Sequence, residues 1–512
     1  MVKKISTLAL AGLLALPAVA FAGAGGAAGT SDIQAQVDAL TRQLEQLKSE
    51  MAKVKAAPVT DQSDRISALE DRSETWDLAS RIQWSGDFRS RMDYYTRDRI
   101  VSPDGGTTWN TVTDKNNSLM TNRMRLDLRA KALENVEFKG RLAMYKTWGM
   151  QSTPEDNAGF IGSFPNFDGN ATRTPTDSTL QVDRAFVNWN NIGGAPVWFS
   201  IGRRPTTDGP PNHLRMGSDE RMATPTAYMD WPFDGISMGY AYNNLFGMQD
   251  MPGRVRFCWG RGFEAGVTQD NTGINDTDFA GLSWDIYKKG NRFLYAQYFA
   301  AMDVFNYPDF SDPVLAAFAS LAPPDGYGER ANIGNIHHTS GVYMDKYENL
   351  NYFLSAGWSR TDPNDRGMLS DWSSGVPNTE SENGYVVHLG ARYDIPDSLF
   401  KVGAEYNHGS KYWISMSPGH DDLYASKLAT RGNVYEVYGI YDIPGGEAIS
   451  KFGKAFIRLG YQHYDYDYTG SMDWNTMPFD VNDNAERFRA MMSGATIIES
   501  ADQVYLTFEA AF

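Results

Sequence analysis

The chain has 512 residues, a formal net charge of -16, 27 Tyr, 26 Phe and 13 Trp but one cysteine, and a mean hydropathy of -0.45. So acidic a chain is a poor partner for nucleic acid, and a lone Cys258 rules out an internal disulfide framework. No stretch beyond the N-terminus approaches about 18 consecutive apolar residues, which excludes a bundle of membrane helices but not a barrel whose strands are apolar on one face only.

In chain order, Lys3 and Lys4 precede an apolar run from Ile5 to Ala20, and Ala20-Phe21-Ala22 supplies the small residues of a cleavage site. Residues 1–22 therefore read as a secretory signal peptide, whose removal with its two lysines takes the charge from -16 to -18. Residues 23–79 follow as a Gly/Ala-rich leader and a helix whose Ser31 and Gln34 are spaced as a capping box. Ile33, Val37, Leu40, Leu44, Leu47, Met51 and Val54 alternate steps of four and three, the narrow seam of a coiled coil. A solitary amphipathic helix lying on another surface would show the same stripe. The seam identities do not fix two strands against three.

From residue 80 to the terminal Phe512 the helical period gives way to a period of two. In "IQWSGDFRSRMDYY", Trp84, Phe88, Met92 and Tyr94 share one face, and Asp87, Arg89, Arg91 and Asp93 share the other. The logic recurs at 123–132 and 136–147, and further strands are readable near 181–190, 197–204, 235–243, 253–260, 278–287, 292–304, 339–347, 350–360, 384–394, 400–409, 433–442, 454–466 and 501–512. That makes about sixteen, joined alternately by short turns such as Glu134-Asn135 and by long connections. Trp84, Trp189, Trp198, Trp284, Tyr393, Phe400 and Tyr441 all fall at the short-turn ends, where an interfacial aromatic girdle is expected. The fold class is an all-β transmembrane up-and-down antiparallel barrel of about 16 strands, with a short N-terminal periplasmic coiled-coil helix.

The last strand, "DQVYLTFEAAF", places Val504, Leu506, Phe508 and Phe512 on one face and ends on an aromatic. A terminal Phe512 on an alternating strand resembles the membrane-insertion signal of Gram-negative outer-membrane barrels. The chain resembles an outer-membrane porin, and its coiled-coil stub is similar to those of sugar- and phosphate-specific porins. Through "TNRMRLDLRAKALENVEFKGRLAMYKTWGM", "RAFVNWNNIGGAPVWFSIGRRPTTDGPPNHLRMGS" and "FDGISMGYAYNN" it resembles more particularly a family of outer-membrane proteins catalogued as a domain of unknown function. That resemblance implies a barrel and little about the solute.

Facing the lumen on the first three strands are Arg89, Arg91, Arg123, Arg125, Arg129, Lys131, Lys139 and Arg141, against Asp87, Asp93 and Asp127. Such a ladder either projects a field that attracts anions or stiffens the wall by pairing with nearby carboxylates, and the two can coexist. The third long connection, 205–234, carries Asp208, His213, Arg215, Asp219, Glu220 and Arg221 with prolines at 205, 210, 211 and 225. By position it matches the loop that narrows general porins, which implies a constriction; the alternative is an ordinary surface loop. The connection from Phe305 to His338 holds Asp312-Pro313 and "VLAAFASLA", a short apolar helix. His337 and His338 point to opposite faces of a strand and make a poor metal site. Asp480, Asn482 and Asn484 open like a calcium loop, but Ala485 and Met491 break it.

No cofactor, metal site or catalytic constellation emerges; without C-x-x-C-H the chain attaches no c-type haem itself. The function read from the sequence is passive diffusion of small hydrophilic solutes or ions through a water-filled lumen, by a non-enzyme. Expected partners are outer-membrane lipid and a homotrimer formed through the heptad seam, with the barrel in the outer membrane and the N-terminal segment in the periplasm. Two other readings are a sheath around a multihaem cytochrome for electron export and a peptidoglycan-gripping tether or adhesin.

Overall fold

The alternation that opens at Ile82 persists, in the computed structural model, through β1 (Ile82–Val101), β2 (Asn110–Leu133), β3 (Val136–Thr147), β4 (Gln181–Trp189), β5 (Val197–Arg204), β6 (Phe233–Tyr242), β7 (Gly253–Phe263) and β8 (Thr277–Lys289). It continues through β9 (Arg292–Phe305), β10 (Asn332–Tyr347), β11 (Leu350–Pro363), β12 (Asn383–Asp394), β13 (Phe400–Gly409), β14 (Gly432–Asp442), β15 (Lys454–Tyr466) and β16 (Ile497–Ala511), with a helix, α1 (Asn484–Met492), before the last strand. The structure describes residues 82–512 apart from 150–174, 176, 205–208, 219–224, 226–227, 231–232, 243–252, 268–273, 307–330, 418–421, 423–425 and 446–452. Of a separate N-terminal unit, Met1–Ala79, it describes only Glu45. The signal peptide, the heptad seam and the apolar helix after Pro313 lie outside the described residues.

Every strand pairs antiparallel with its sequence neighbours, and β1 also pairs with β16, so the sheet closes. Closure removes every free edge, which a sheet bathed in lipid requires because no water is there to satisfy unpaired N–H and C=O groups. The seam finishes at the terminal residue: Gly86 donates to the Phe512 carbonyl at 3.1 Å and Phe512 donates to that of Gly86 at 3.0 Å. A Cβ at Gly86 would stand 2.5 Å from the Arg125 carbonyl oxygen and 2.9 Å from the Phe512 ring, so the seam needs glycine there.

The faces sort as the first strand predicts. Trp84, Phe88, Met92, Tyr94, Leu506 and Phe508 are exposed outward, while Asp87, Arg89, Arg91 and Asp93 are buried inside. Trp84, Trp189, Tyr393 and Phe400 are exposed at the short-turn end. Trp198 differs: it shares the inner face with Ser200, and its ring covers Gly239 on β6, where a Cβ would meet it at 2.6 Å. Position at a strand end did not disclose its face, because an aromatic covering a cross-strand glycine fills the interior as well as a girdle. Several strand bounds also differ. β10 begins at Asn332, so His337 and His338 lie within it, and β1 and β2 run on into a long hairpin joined by residues 102–109.

Candidate functional site

The third long connection leaves β5 and folds into the barrel. Its described segment, 209–218, has Pro210, Pro211, Asn212, His213, Leu214 and Arg215 buried, and it reaches the far wall formed by β12 to β15. There four basic side chains donate to five successive backbone carbonyls: Arg392 to Leu214 (3.0 Å) and Ser218 (3.1 Å), Arg458 to Arg215 (2.6 Å), Lys454 to Met216 (2.8 Å) and Lys401 to Gly217 (3.0 Å). Lys401 and Lys454 start their strands at the short-turn end, so the loop crosses nearly the whole depth of the wall. Loops are normally kept at the surface by their own unpaired backbone groups. Here the wall supplies charged donors for those groups, and the loop can stay inside.

Arg215 then ties the loop into a buried charge network. Its guanidinium meets Glu436 at 2.8 Å and Asp422, from the connection after β13, at 3.2 Å. Lys427 bridges Glu405 and Glu436, the latter at 2.6 Å, and His388 Nε2 lies 3.0 Å from Glu405. Gln462 donates to Asp422 at 2.8 Å and Tyr505 to Glu436 at 2.5 Å. The Tyr505 ring in turn lies under the guanidinium groups of Arg91, Arg215 and Arg458 at 4.5, 5.9 and 5.3 Å. Gly460 makes room for it, since a Cβ there would fall 2.3 Å from Tyr505. Burying so many charges is costly unless each is paired. Burial alone would lower the Arg215 pKa, but Glu436 and Asp422 hold it well above the ordinary value.

The basic ladder of the first three strands is located on the inner face and is largely neutralised in place. Arg89 donates to the Tyr145 hydroxyl at 3.0 Å, Arg91 pairs with Asp93 at 2.8 Å, and Arg123 and Arg125 converge on Asp87 at 3.2 and 2.7 Å. Arg123 also lies 3.5 Å from Glu509, Arg129 and Lys139 grip Glu137 at 2.6 and 2.7 Å, and Arg141 bonds Asp183 at 2.6 Å. Arg184 approaches Asp127 at 3.8 Å. Glu137, on β3 itself, is missed by the count over the first three strands, and Asp183 on β4 and Glu509 on β16 lie beyond that count. Arg89, Arg91 and Arg141 are thereby buried rather than bathed in lumen water, whereas Asp127, Arg129 and Lys139 keep about a third or more of their side chains exposed, and Lys131 is exposed. Of the loop candidates, His213 and Arg215 are brought inside; Asp208, Asp219, Glu220 and Arg221 lie outside the described residues.

At the long-loop end the interior is apolar. Phe279, Phe299, Ala301 and Ile336 on the inner face of β8 to β10 pack with Met368 and Leu369, Ile414 and Met416, and Met472 and Trp474 from the last three long connections. His338 is buried here, stacked on Phe299 at 4.8 Å and 5.1 Å from Trp413, while His337 faces outward to the Tyr298 hydroxyl at 2.8 Å. Asp371 and Arg489 latch two of these loops at 2.6 Å. Burial works against ionisation of Asp371, but hydrogen bonds from Ser373 and Arg489 hold its pKa below the ordinary value. A carboxylate lowered in this way stabilises the fold above its usual value of about 4, and the contribution is lost as pH falls through the lowered one. Limited proteolysis of the 364–382 and 467–496 loops should therefore accelerate between pH 7 and pH 3, with Asp371→Asn fast throughout; a pH-independent wild type would refute the latch.

The acidic run near 480 is a helix start. The Asp483 side chain accepts from the Ala485 and Glu486 amides and caps α1, and no metal-ligating cluster occurs among the described residues. Arg392, Lys401, Lys427, Arg458, Glu405, Glu436 and Asp422 escaped the sequence reading. Period two would have placed the strand residues inward, but nothing local says what they hold.

The chain belongs to a family described as "Protein of unknown function (DUF3373)", whose model matches residues 113–512. No curated protein matches this sequence. Among solved structures it is similar to OmpF of Salmonella typhi in complex with daunomycin (10% identity, 84% of this chain and 97% of that one, TM-score 0.39). It is similar likewise to the trimer form of OmpT from Vibrio cholerae (10%, 84% and 99%, 0.38) and to an anion-selective porin from Comamonas acidovorans (10%, 84% and 99%, 0.40).

Proposed function

We propose that the protein is a porin-like channel: an outer-membrane barrel, with its long loops outward and its N-terminal segment in the periplasm, that lets small hydrophilic solutes or ions diffuse without chemistry. The carrying observation is a closed 16-stranded barrel with a lipid-compatible exterior, a charged inner face and a loop held inside it. Barrels of this strand number leave an aqueous lumen. Here the inward loop and the network around Arg215 fill the β12 to β16 side, so the path runs along β2 to β5, where Asp127, Lys139 and Arg184 remain in contact with solvent. The same filling takes up room that an enclosed cytochrome would need, which favours a channel over a sheath. A homotrimer associated through the heptad seam is the expected assembly, on the strength of the porin resemblance of the sequence together with the seam, whose identities alone do not fix the number of strands.

The test is a planar-bilayer recording under a salt gradient. Small stepwise conductance with anion preference or weak selectivity is expected, despite the acidic net charge, because the carboxylates of the inner wall are already engaged by arginines. Strong cation selectivity that survives neutralising Asp208, Asp219 and Glu220 would sink the wall argument, and absence of conductance would sink the channel.

A further inference from the structure

The arginines of the β4 to β7 wall have partners, with one exception. Arg184 faces Asp127 and Arg203 lies 3.7 Å from Asp234; Arg254 pairs with Asp285 at 2.7 Å and Arg256 donates to the Ser283 hydroxyl at 2.7 Å. Arg204, at the end of β5, makes no hydrogen bond and no salt bridge with any described residue. Its guanidinium is instead held between two rings, 5.5 Å from the centre of Phe186 and 5.7 Å from that of Trp198. Nη1 is sealed from solvent with no acceptor. Cys258, Arg256 and Arg254 are within electrostatic reach, and Arg254 itself is engaged by Asp285.

A half-buried cation that finds no anion among the described residues is an expensive arrangement, and it is open to an anion from outside the chain. Stacking fixes the plane of a guanidinium while leaving its N–H fork free, and that fork matches the two oxygens of a carboxylate or phosphate. The positive neighbours Arg254 and Arg256 add attraction, and the Cys258 sulfur, 3.2 Å from the Ser237 hydroxyl, is only a weak acceptor. Trp198 thus gains a reason for facing inward: it is one jaw of the clamp on Arg204.

We propose that Arg204, clamped by Phe186 and Trp198 beside Arg254 and Arg256, is a subsite for an oxyanion, the carboxylate or phosphate group of a small solute. As a step in permeation this rests on the channel reading; as a binding site it does not. Calorimetric titration of the full-length detergent-solubilised protein with acetate and, separately, with inorganic phosphate reads it directly. The wild type is expected to bind at least one of them, the one bound identifying the group. Arg204→Gln should weaken that binding at least tenfold, and Arg204→Lys, which keeps the charge but loses the fork, should fall between. Because Arg204→Gln removes a cation with no anion among the described residues, the ligand-free variant should resist heat at least as well as the wild type, where a structural arginine would leave it weaker. Equal binding by wild type and Arg204→Gln, no binding of either anion by the wild type, or loss of heat resistance in both variants would overturn the subsite. Anion binding that needs Arg204 in a barrel that passes no current would overturn the channel and leave the subsite standing.

Discussion

Replacing Arg215 by Ala is expected to produce the largest change of any single substitution, a loss of about 3–5 kcal/mol, because it removes the buried cation that Glu436 and Asp422 share. Arg215 is 2% exposed and faces both Glu436 and Asp422, whereas the Lys427 ammonium is engaged by Glu405 and Glu436 and meets Asp422 through its backbone amide at 3.3 Å. The carbonyl anchors from Arg392, Lys401, Lys454 and Arg458 would remain, but they hold the loop backbone, and Arg392 and Lys401 are paired with Asp394 and Asp442 at 2.7 Å each. The third loop should then leave the wall, and the unit conductance in a planar bilayer should rise while the temperature at which the folded band disappears on an unboiled gel falls. Arg458→Met, which removes one carbonyl anchor, serves as the internal standard and should cost about 1.5–3 kcal/mol, the range for a hydrogen bond to a charged group. Unchanged conductance together with unchanged heat resistance in Arg215→Ala would show that the network does not hold the loop.

The second large effect is at the seam. Gly86→Val should prevent closure, since the new side chain meets the Arg125 carbonyl oxygen, part of the neighbouring strand's backbone, and cannot be accommodated by turning a rotamer. Overpacking a well-packed site costs about 1–3 kcal/mol, and here it falls on the pair of hydrogen bonds between Gly86 and Phe512 that ends the barrel. Deleting Phe512 removes the same two bonds without adding bulk. Both variants are expected to refold into detergent in low yield, scored as the fraction of heat-modifiable band, and Phe512→Tyr should refold normally. Efficient folding of Gly86→Val would mean that the seam closes without this register.

What the sequence determined by itself is the barrel. Strand position, order, facing and the closing role of the last strand follow from period-two alternation and from links that are alternately short and long. Both are local, and lipid enforces them by demanding that each strand be apolar on one side and paired on both edges. Even the weak signals behaved locally: His337 and His338 do face opposite ways, and the acidic run at 480 is a helix cap. Only the tertiary structure decided what fills the interior. Whether Arg89 or Arg91 meets water depends on Tyr145, Asp93 and Tyr505; whether residues 209–218 are a surface loop depends on four basic side chains some 170 to 245 residues later in the chain. Loops carry no period, and the partner of an inward charge is chosen by the wall opposite, which the pattern of one strand does not contain. Arg204 stands apart for the same reason, since a stretch of sequence shows an arginine but not whether a described neighbour neutralises it.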